Sequence, residues 1–308
     1  LEHRRQRQMC IRDRLGPLPQ DQQPFFRQLH DAAQLNQPAI QEFCTSYRKI
    51  ADSYPNDRFL MGEVDGDNDT AMSVSENFTK PGRLHATYNF DLLEWAGLTV
   101  SEIREAILKA AEIFNNTGRL SFAFSNHDVP RVATRQLKAL GVSVKDSDRM
   151  QILLLKLQIS IIGSSCIYQG EELGLEDVTD IPKEKMQDPW GIEFAPTFLG
   201  RDTCRTPMVW NKKLPNGGFS RANKTWLPIA NKHLNRAAID SASDPKSIYN
   251  ELSKFLKWRK KQPAMMRANC MLNITGDHKE ISFERQSDNQ TLRCNFDFDT
   301  LTASFQEI

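Results

Sequence analysis

The spacing of apolar residues along the chain predicts four long helices. In the stretch 38–54, Ile40, Phe43 and Tyr47 recur every three or four positions and so fall on one helix face. The stretches with this spacing are 38–54, 101–114 (with Ser101 as the N-cap), 148–162 and 247–262.

Short apolar runs that end in polar residues alternate with these helices and predict strands. The runs lie at 58–64, 84–90, 120–125 and 165–168. Strands that alternate with helices indicate a parallel α/β sheet. Polar residues at the carboxyl ends of such strands are where a (β/α)₈ barrel places its chemistry.

The pattern changes twice along the second half of the chain. The segment 177–232 is long, rich in Pro and Gly and poor in helical spacing, which is typical of a functional loop. After Pro263, short strand-like runs occur at 271–274, 281–285, 291–296 and 302–308. We therefore predict an arm at 1–14, an α/β domain at 15–262 that includes this loop, and the start of a C-terminal β-domain at 263–308.

Composition and charge exclude several classes of protein. The 308-residue chain has a formal net charge of only +1, so no overall field favours nucleic acid or an anionic membrane. No apolar run approaches the ~20 residues of a membrane span. The six cysteines form no C-x-x-C pair, which favours a reduced, cytoplasmic protein. We expect neither nucleic acid nor membrane as a partner, and the oligomeric state is unknown from the sequence.

The first fourteen residues do not fit the rest of the chain. They are rich in Arg, and they have neither an apolar period nor the continuous apolar segment of a secretion signal. We expect residues 1–14 to be a gene-assembly artefact or a disordered arm. A basic arm for nucleic acid is the alternative.

Two carboxylates follow predicted strands. Glu63 ends the run FLMGE, and Asp128 follows LSFAFSNH. Either one alone could cap the helix after its strand. Because the carboxyl ends of parallel strands meet at one edge of the sheet, we expect both side chains at that edge.

Several segments around these carboxylates resemble glycoside hydrolase family 13, the α-amylase superfamily. FLMGEV is similar to the region around the family's acid/base, and FSNHDVPR to the segment that ends in its transition-state-stabilising Asp. CIYQGEELGLEDVTDIP, QDPWGIEFAPTFLGRDTCRTPMVW and TWLPI resemble the bacterial α-glucosidase branch. The resemblance covers roughly 36–268. It implies the second half of a (β/α)₈ TIM barrel, strands five to eight, followed by a truncated antiparallel β-domain.

The resemblance implies a retaining, exo-acting α-glucosidase for short oligosaccharides of the maltose type or for sucrose. Retaining glycosidases use a protonated carboxylic acid and a carboxylate nucleophile ~5–5.5 Å apart. Glu63 would be the acid that then becomes the base, with its pKa raised in a partly desolvated pocket. Asp128 would bind sugar hydroxyls and favour the oxocarbenium-like transition state.

Further residues are implied to bind the sugar. His127, beside Asn126, would donate to a glucose hydroxyl, although a packing histidine is the alternative. Arg201 resembles the arginine that reaches the non-reducing end, and Arg205 is the other candidate; a planar guanidinium suits this task. Phe90 would stack on the leaving sugar or belong to the core.

The chain also departs from the family pattern. The family's nucleophilic Asp lies in a segment of the form GFRxD, and no such segment occurs between Leu15 and Arg58. We therefore expect a C-terminal fragment that is inactive alone. The family's calcium loop has no counterpart either, so neither a metal nor a cofactor is implied. The alternative function is a non-catalytic α-amylase-like interaction protein, against which the presence of both Glu63 and Asp128 argues.

Overall fold

The computed structural model describes residues 38–64, 71–115, 118–267 and 270–308. The predictions made for residues 1–14 lie outside the described residues.

Four short parallel strands form the first sheet, in the order β1-β2-β3-β4. They are β1 (Met61–Gly62), β2 (Ala86–Tyr88), β3 (Leu120–Phe122) and β4 (Ser164–Ser165). Each strand is parallel to the next one along the chain, so the predicted parallel sheet is confirmed. The strands are shorter than the apolar runs that predicted them.

Alternation of side chains gives this sheet two different faces. Leu120 and Phe122 of β3 belong to the main apolar core, together with helix residues. Ser121, between them, lies on the opposite face, where the strand register pairs it with Tyr88. We call the face that carries Ser121 and Tyr88 the inner face.

The helices of the described residues include the four that the sequence predicts and several shorter ones. The long ones are α1 (Pro38–Asp52), α3 (Val100–Asn115), α5 (Ser147–Ser160) and α9 (Ile248–Arg259). The others are α2 (Ala71–Phe78), α4 (Val132–Ala139), α6 (Pro189–Phe194), α7 (Asn231–Leu234), α8 (Ala238–Ser243) and α10 (Pro263–Met266).

The predicted N-cap of α3 is wrong by two residues. The helix begins at Val100, and Thr99 accepts a hydrogen bond at Oγ1 from the backbone N of Glu102 (3.3 Å). Glu102 Oε2 in turn accepts from the backbone N and from Oγ1 of Thr99, both at 2.7 Å. This reciprocal arrangement is a capping box, which satisfies two orphan donors at the helix start. Ser101 lies inside the helix.

The second sheet is an antiparallel meander of four strands in chain order. Its strands are β5 (Cys270–Gly276), β6 (Glu280–Ser287), β7 (Gln290–Asp297) and β8 (Thr302–Glu307). Alternate residues of β6 and β7, such as Phe283 and Phe296, are buried in the same core as α3, α5 and α9. The buried Arg285 of β6 donates to the carbonyl oxygen of Ser160 at the end of α5 (2.5 Å).

None of the helices within the described ranges is long and apolar enough to cross a membrane. The five cysteines that lie in those ranges are free thiols.

Candidate active site

Glu63 lies directly beyond β1, at the carboxyl end of the first strand. Gly62 lies on the face opposite to the inner face, because the strand register aligns it with Thr87 and aligns Thr87 with Leu120 of the apolar core. The alternation of side chains therefore puts Glu63 on the inner face, with Tyr88 as its neighbour on β2. The Tyr88 hydroxyl is close enough to Glu63 to feel its charge.

The surroundings of Glu63 differ from the expected desolvated pocket. The residue is exposed. Its strand, β1, lies at one end of the strand order. Neighbouring backbone therefore flanks Glu63 on the β2 side alone within the described sheet.

Asp128 lies beyond the carboxyl end of β3 and is surrounded by cationic and imidazole groups. Its Oδ1 accepts hydrogen bonds from Arg205 Nη2 (2.7 Å) and from Arg201 Nη1 (3.3 Å). Its Oδ2 lies 3.4 Å from Nε2 of His127. The side chain keeps 39% of its surface exposed, so lone pairs remain accessible to a ligand hydroxyl.

The two arginines are held in different ways. Arg201 donates from Nε (3.1 Å) and Nη2 (2.8 Å) to the carboxylate of Asp188, and its guanidinium lies 4.6 Å from the ring centre of Trp190. Burial alone would raise the pKa of Asp188, but the hydrogen bonds from Arg201 outweigh it and the pKa lies below its ordinary value. Arg201 is thus fixed mainly by Asp188.

Arg205 makes the shorter contact with Asp128 and also donates from Nε to the carbonyl oxygen of His127 (2.6 Å). It therefore binds the loop after β3 through both a side chain and the backbone. Both candidate arginines reach Asp128, and the geometry alone favours Arg205 as its principal partner. Which of the two would bind sugar stays a prediction.

Asn126 braces the loop that carries Asp128. Its Oδ1 accepts from the backbone N of Asp128 (2.8 Å) and of Val129 (3.1 Å). The pKa of the nearby Tyr88 hydroxyl is raised, chiefly by burial. Tyr88 belongs to β2, which lies between β1 and β3 in the sheet, and so stands between Glu63 and the Asp128 loop. The substrate-binding role predicted for Asn126 stays a prediction.

Phe90 packs against its neighbours on the inner face. Its ring meets that of Tyr88 edge-on, with 5.3 Å between the centroids. It also belongs to a small apolar cluster with Leu93, Ala123 and Val129. The structure therefore gives Phe90 core contacts, and its contact with a sugar stays a prediction.

Arg131 is a buried residue of this site that the sequence did not single out. Its Nη1 donates to the carbonyl oxygen of Gln169 (2.6 Å) and its Nη2 to that of Cys204 (2.9 Å). Its backbone N donates to both carboxylate oxygens of Asp177 (3.1 and 3.2 Å). Arg131 therefore joins the loops that follow β3 and β4 to the segment that carries Arg205. Arg131 is visible in the segment FSNHDVPR. Its partners lie far away along the chain, so the sequence did not indicate its contacts.

Glu171 is the second such residue, and it is completely buried. Its Oε2 accepts from the backbone N of Tyr168 (2.8 Å), whereas its Oε1 has no hydrogen-bond partner within the described residues. The Oγ of Ser125 accepts from the backbone N of Val132 (2.8 Å), and this contact closes the loop 126–131 at its base. Burial raises the pKa of Glu171 to about 7.

Comparison with known proteins identifies the family. The family model described as alpha amylase, catalytic domain, matches residues 11–268. The chain belongs to the α-amylase family. The match begins upstream of the 36–268 range covered by the resemblance, and it confirms the predicted TIM-barrel fold.

The relatives agree with this assignment. A protein of Rhizobium meliloti (strain 1021) named "Probable alpha-glucosidase" is 37% identical over 270 residues, which are 87% of this chain and 47% of that protein. Maltase A1 of Drosophila melanogaster is 28% identical over 260 residues, 81% of this chain and 42% of the relative.

Solved structures of other enzymes share the fold of this chain. The crystal structure of an α-glucosyl transfer enzyme is 33% identical with a TM-score of 0.74, and the match covers 85% of this chain and 46% of that one. An isomaltulose synthase from Erwinia rhapontici NX5, 20% identical, shares the fold with a TM-score of 0.75 over 91% of this chain and 53% of its own. The chain spans about half the length of the curated relatives it matches.

Proposed function

We propose that this chain supplies the acid/base and the transition-state-stabilising carboxylate of a retaining, exo-acting α-glucosidase. The substrates would be short α-glucosides of the maltose type or sucrose. The main support is the position of Glu63 and Asp128 beyond two parallel strands at the same edge of one sheet. The names of the relatives, among them an oligo-1,6-glucosidase of Parageobacillus thermoglucosidasius, point to the same chemistry.

The proposed mechanism divides the work between the two carboxylates. Glu63 donates its proton to the glycosidic oxygen as the bond to C1 breaks, and it later takes a proton from the water that attacks C1. Asp128 accepts hydrogen bonds from sugar hydroxyls and stabilises the positive charge that develops on the ring. Because Glu63 is exposed, the leaving sugar and the water can both reach it.

The arginine cluster supports exo-action. Arg201, Arg205 and His127 surround Asp128, so donors converge around the carboxylate that would hold the terminal glucose. Fixed guanidinium groups can share their planar donors between a carboxylate and a sugar hydroxyl. A site closed in this way accepts one glucose unit at the non-reducing end.

The proposal assigns no nucleophile to this chain, since the chain contains no GFRxD segment between residues 15 and 58. Two assays of glucose release from maltose, sucrose and p-nitrophenyl α-glucoside test this. The first uses the 308-residue chain alone, for which we expect no turnover. The second uses a chimera in which this chain replaces the matching part of the Rhizobium meliloti relative, for which we expect turnover with retention of the α-anomer.

Glu63→Gln in the chimera tests the acid/base role. We expect kcat/KM for maltose to fall by about 10²–10⁴-fold, the usual contribution of general acid–base catalysis. The rate of bond cleavage should fall less for p-nitrophenyl α-glucoside than for maltose, because p-nitrophenolate leaves without a proton. Glu105→Gln, at an exposed position of α3, is the matched control and should leave both rates unchanged.

Two results would contradict the proposal. Equal losses on both substrates would show that Glu63 does not protonate the leaving group. Turnover by the 308-residue chain alone, abolished by Glu63→Gln, would show that another carboxylate of this chain is the nucleophile.

A further inference from the structure

An open cavity is lined by residues of the segment 184–234. Its volume is about 700 Å³, which falls within the range of roughly 300–1,000 Å³ that is usual for ligand pockets. None of its lining residues belongs to the cluster of Glu63, Asp128 and the two arginines. We call this cavity the Trp226 pocket.

The lining of the Trp226 pocket includes apolar side chains. They are those of Trp226, Pro228, Ile229 and Leu214. Trp226 leaves 53% of its surface exposed. An indole offers a broad apolar face and carries an N–H donor at its edge. Such a face suits a ligand with both an apolar surface and hydroxyl groups.

The lining of the pocket also includes hydrogen-bonding groups. Asn223 and Gln187 offer amide groups, and Lys185 and Lys224 offer ammonium donors. A lining that combines amide and ammonium groups with an aromatic side chain matches a sugar ring, which presents C–H groups on its faces and hydroxyls around its edge.

The charge of the lining does not select an anion. Lys212, the third lysine of the lining, pairs with Asp240 (3.1 Å). Glu184 adds a negative charge to the rim. The remaining excess of positive charge is one unit, and all of it lies on exposed side chains, where water and salt screen it. A neutral ligand is therefore favoured over a phosphorylated one.

The rim of the pocket is held in place by its own hydrogen bonds. Asn216, with a left-handed φ of 51°, donates from Nδ2 to the carbonyl oxygens of Ser220 (3.2 Å) and Ala222 (2.6 Å). Thr225 Oγ1 donates to the carbonyl oxygen of Leu227 (2.6 Å), which frames Trp226. A rim built in this way loses little freedom when a ligand binds.

We propose that the Trp226 pocket is a separate binding site for a neutral oligosaccharide, with one sugar ring stacked on the indole of Trp226. The site would hold a sugar chain without cleaving it, which goes beyond the proposed activity. Only the choice of an α-glucan as the probe rests on that activity.

Calorimetric titration of the 308-residue chain with maltotriose tests this site directly. Trp226→Ala should weaken binding by at least about tenfold, because aromatic anchors dominate such contacts. Trp210→Ala is the matched control: Trp210 is 51% exposed, belongs to the same segment and does not line the pocket. This variant should bind as the unchanged chain does. Both substitutions are at exposed positions, and circular dichroism checks that each variant folds.

A second pair of titrations separates this site from the active site. Asp128→Asn should leave the maltotriose affinity of the Trp226 pocket unchanged, whatever the outcome of the activity assays. Binding that is lost in Asp128→Asn and kept in Trp226→Ala would overturn the inference while supporting the proposed function. The absence of any binding by the unchanged chain would also overturn it. So would a preference for glucose 6-phosphate over maltotriose that high salt abolishes, since it would indicate an anion site.

Discussion

Glu171 and His233 are buried side chains that titrate in the same pH range with opposite effects on stability. Burial raises the pKa of Glu171 from 4.5 to about 7. Burial lowers the pKa of His233 from 6.5 to about 4, even though its Nε2 lies 2.8 Å from the carbonyl oxygen of Glu176. The folded chain thus keeps a proton on Glu171 that the unfolded chain releases, and it keeps His233 neutral where the unfolded chain protonates it.

The signs of the two contributions follow from linkage. The stability that Glu171 contributes is complete below pH 4.5 and is lost as the pH rises through about 7. The stability that His233 contributes is complete above pH 6.5 and is lost as the pH falls through about 4. Between these limits the two slopes oppose each other, so the unchanged chain should show a flatter pH profile than either group alone would give.

Glu171→Gln should remove the contribution of Glu171 to the pH dependence of the free energy of unfolding. A shift from 4.5 to about 7 corresponds to about 3 kcal/mol at full effect. As the pH rises from 4.5 to 8, the free energy of unfolding of the variant should therefore increase by about 3 kcal/mol relative to that of the unchanged chain. Urea unfolding at several pH values measures this, and a pH of about 3, where Glu171 is protonated in both the folded and the unfolded chain, serves as the internal reference. A difference that stays constant with pH would refute the assignment.

At the scale of elements, the sequence predicted which helices and strands are present better than it predicted where they begin and end. The four long helices follow from an apolar spacing that is local to each helix. The strand predicted over 58–64 shrinks to Met61–Gly62, because its ladder to β2 contains only the pairs Met61–Ala86 and Gly62–Thr87. The ladder depends on a partner elsewhere in the chain, so the apolar run alone could not give its length.

The sequence at the start of α3 contains an N-capping signal that the prediction did not use. Ser101 and Thr99 are both residues of the N-cap type, but only Thr99 has a Glu three positions later. The T-x-x-E spacing of a capping box therefore distinguished them. The hydrogen bonds of Thr99 and Glu102 also lower the pKa of the Glu102 carboxyl.

Thr99→Ala should lower the free energy of unfolding by about 1 kcal/mol, the usual cost of losing an N-cap side chain. Ser101→Ala, two residues away inside the helix, is the control and should change it by less than about 0.5 kcal/mol. Thermal or urea unfolding measures both. If Ser101→Ala proved the more costly of the two, the capping box would not be what fixes the start of α3.

For the whole molecule, the sequence predicted the candidate site by residue type and strand position, but not its connections. Glu63 and Asp128 stood out because they follow apolar runs, and parallel strands bring their carboxyl ends together. The contacts of Arg131 with Gln169 and Cys204 could not be predicted, since they join loops far apart in the chain. The same holds for the choice between Arg201 and Arg205, which depends on where Asp188 lies.

The packing of the two sheets was likewise not visible in the sequence. The boundary predicted between residues 262 and 263 stays a prediction, but the apolar core does not divide there. Phe283 and Phe296 of the antiparallel sheet are buried in the same cluster as Ile107 of α3 and Phe255 of α9. Arg285 adds a hydrogen bond from β6 to Ser160 of α5. The two sheets therefore share one core and should unfold together.

Phe296→Ala tests this shared core. Phe296 is fully buried and its ring lies 5.6 Å from that of Phe283, so its truncation should cost about 3–5 kcal/mol through lost burial and the cavity left behind. Hydrogen exchange should then show faster exchange of amides in α3 and α5 as well as in β6 and β7. Leu272→Ala, on β5 where the side chain is 41% exposed, is the control and should change little. If only the amides of β5–β8 lost protection, the antiparallel sheet would be an independent unit and the shared core would not couple it to the helices.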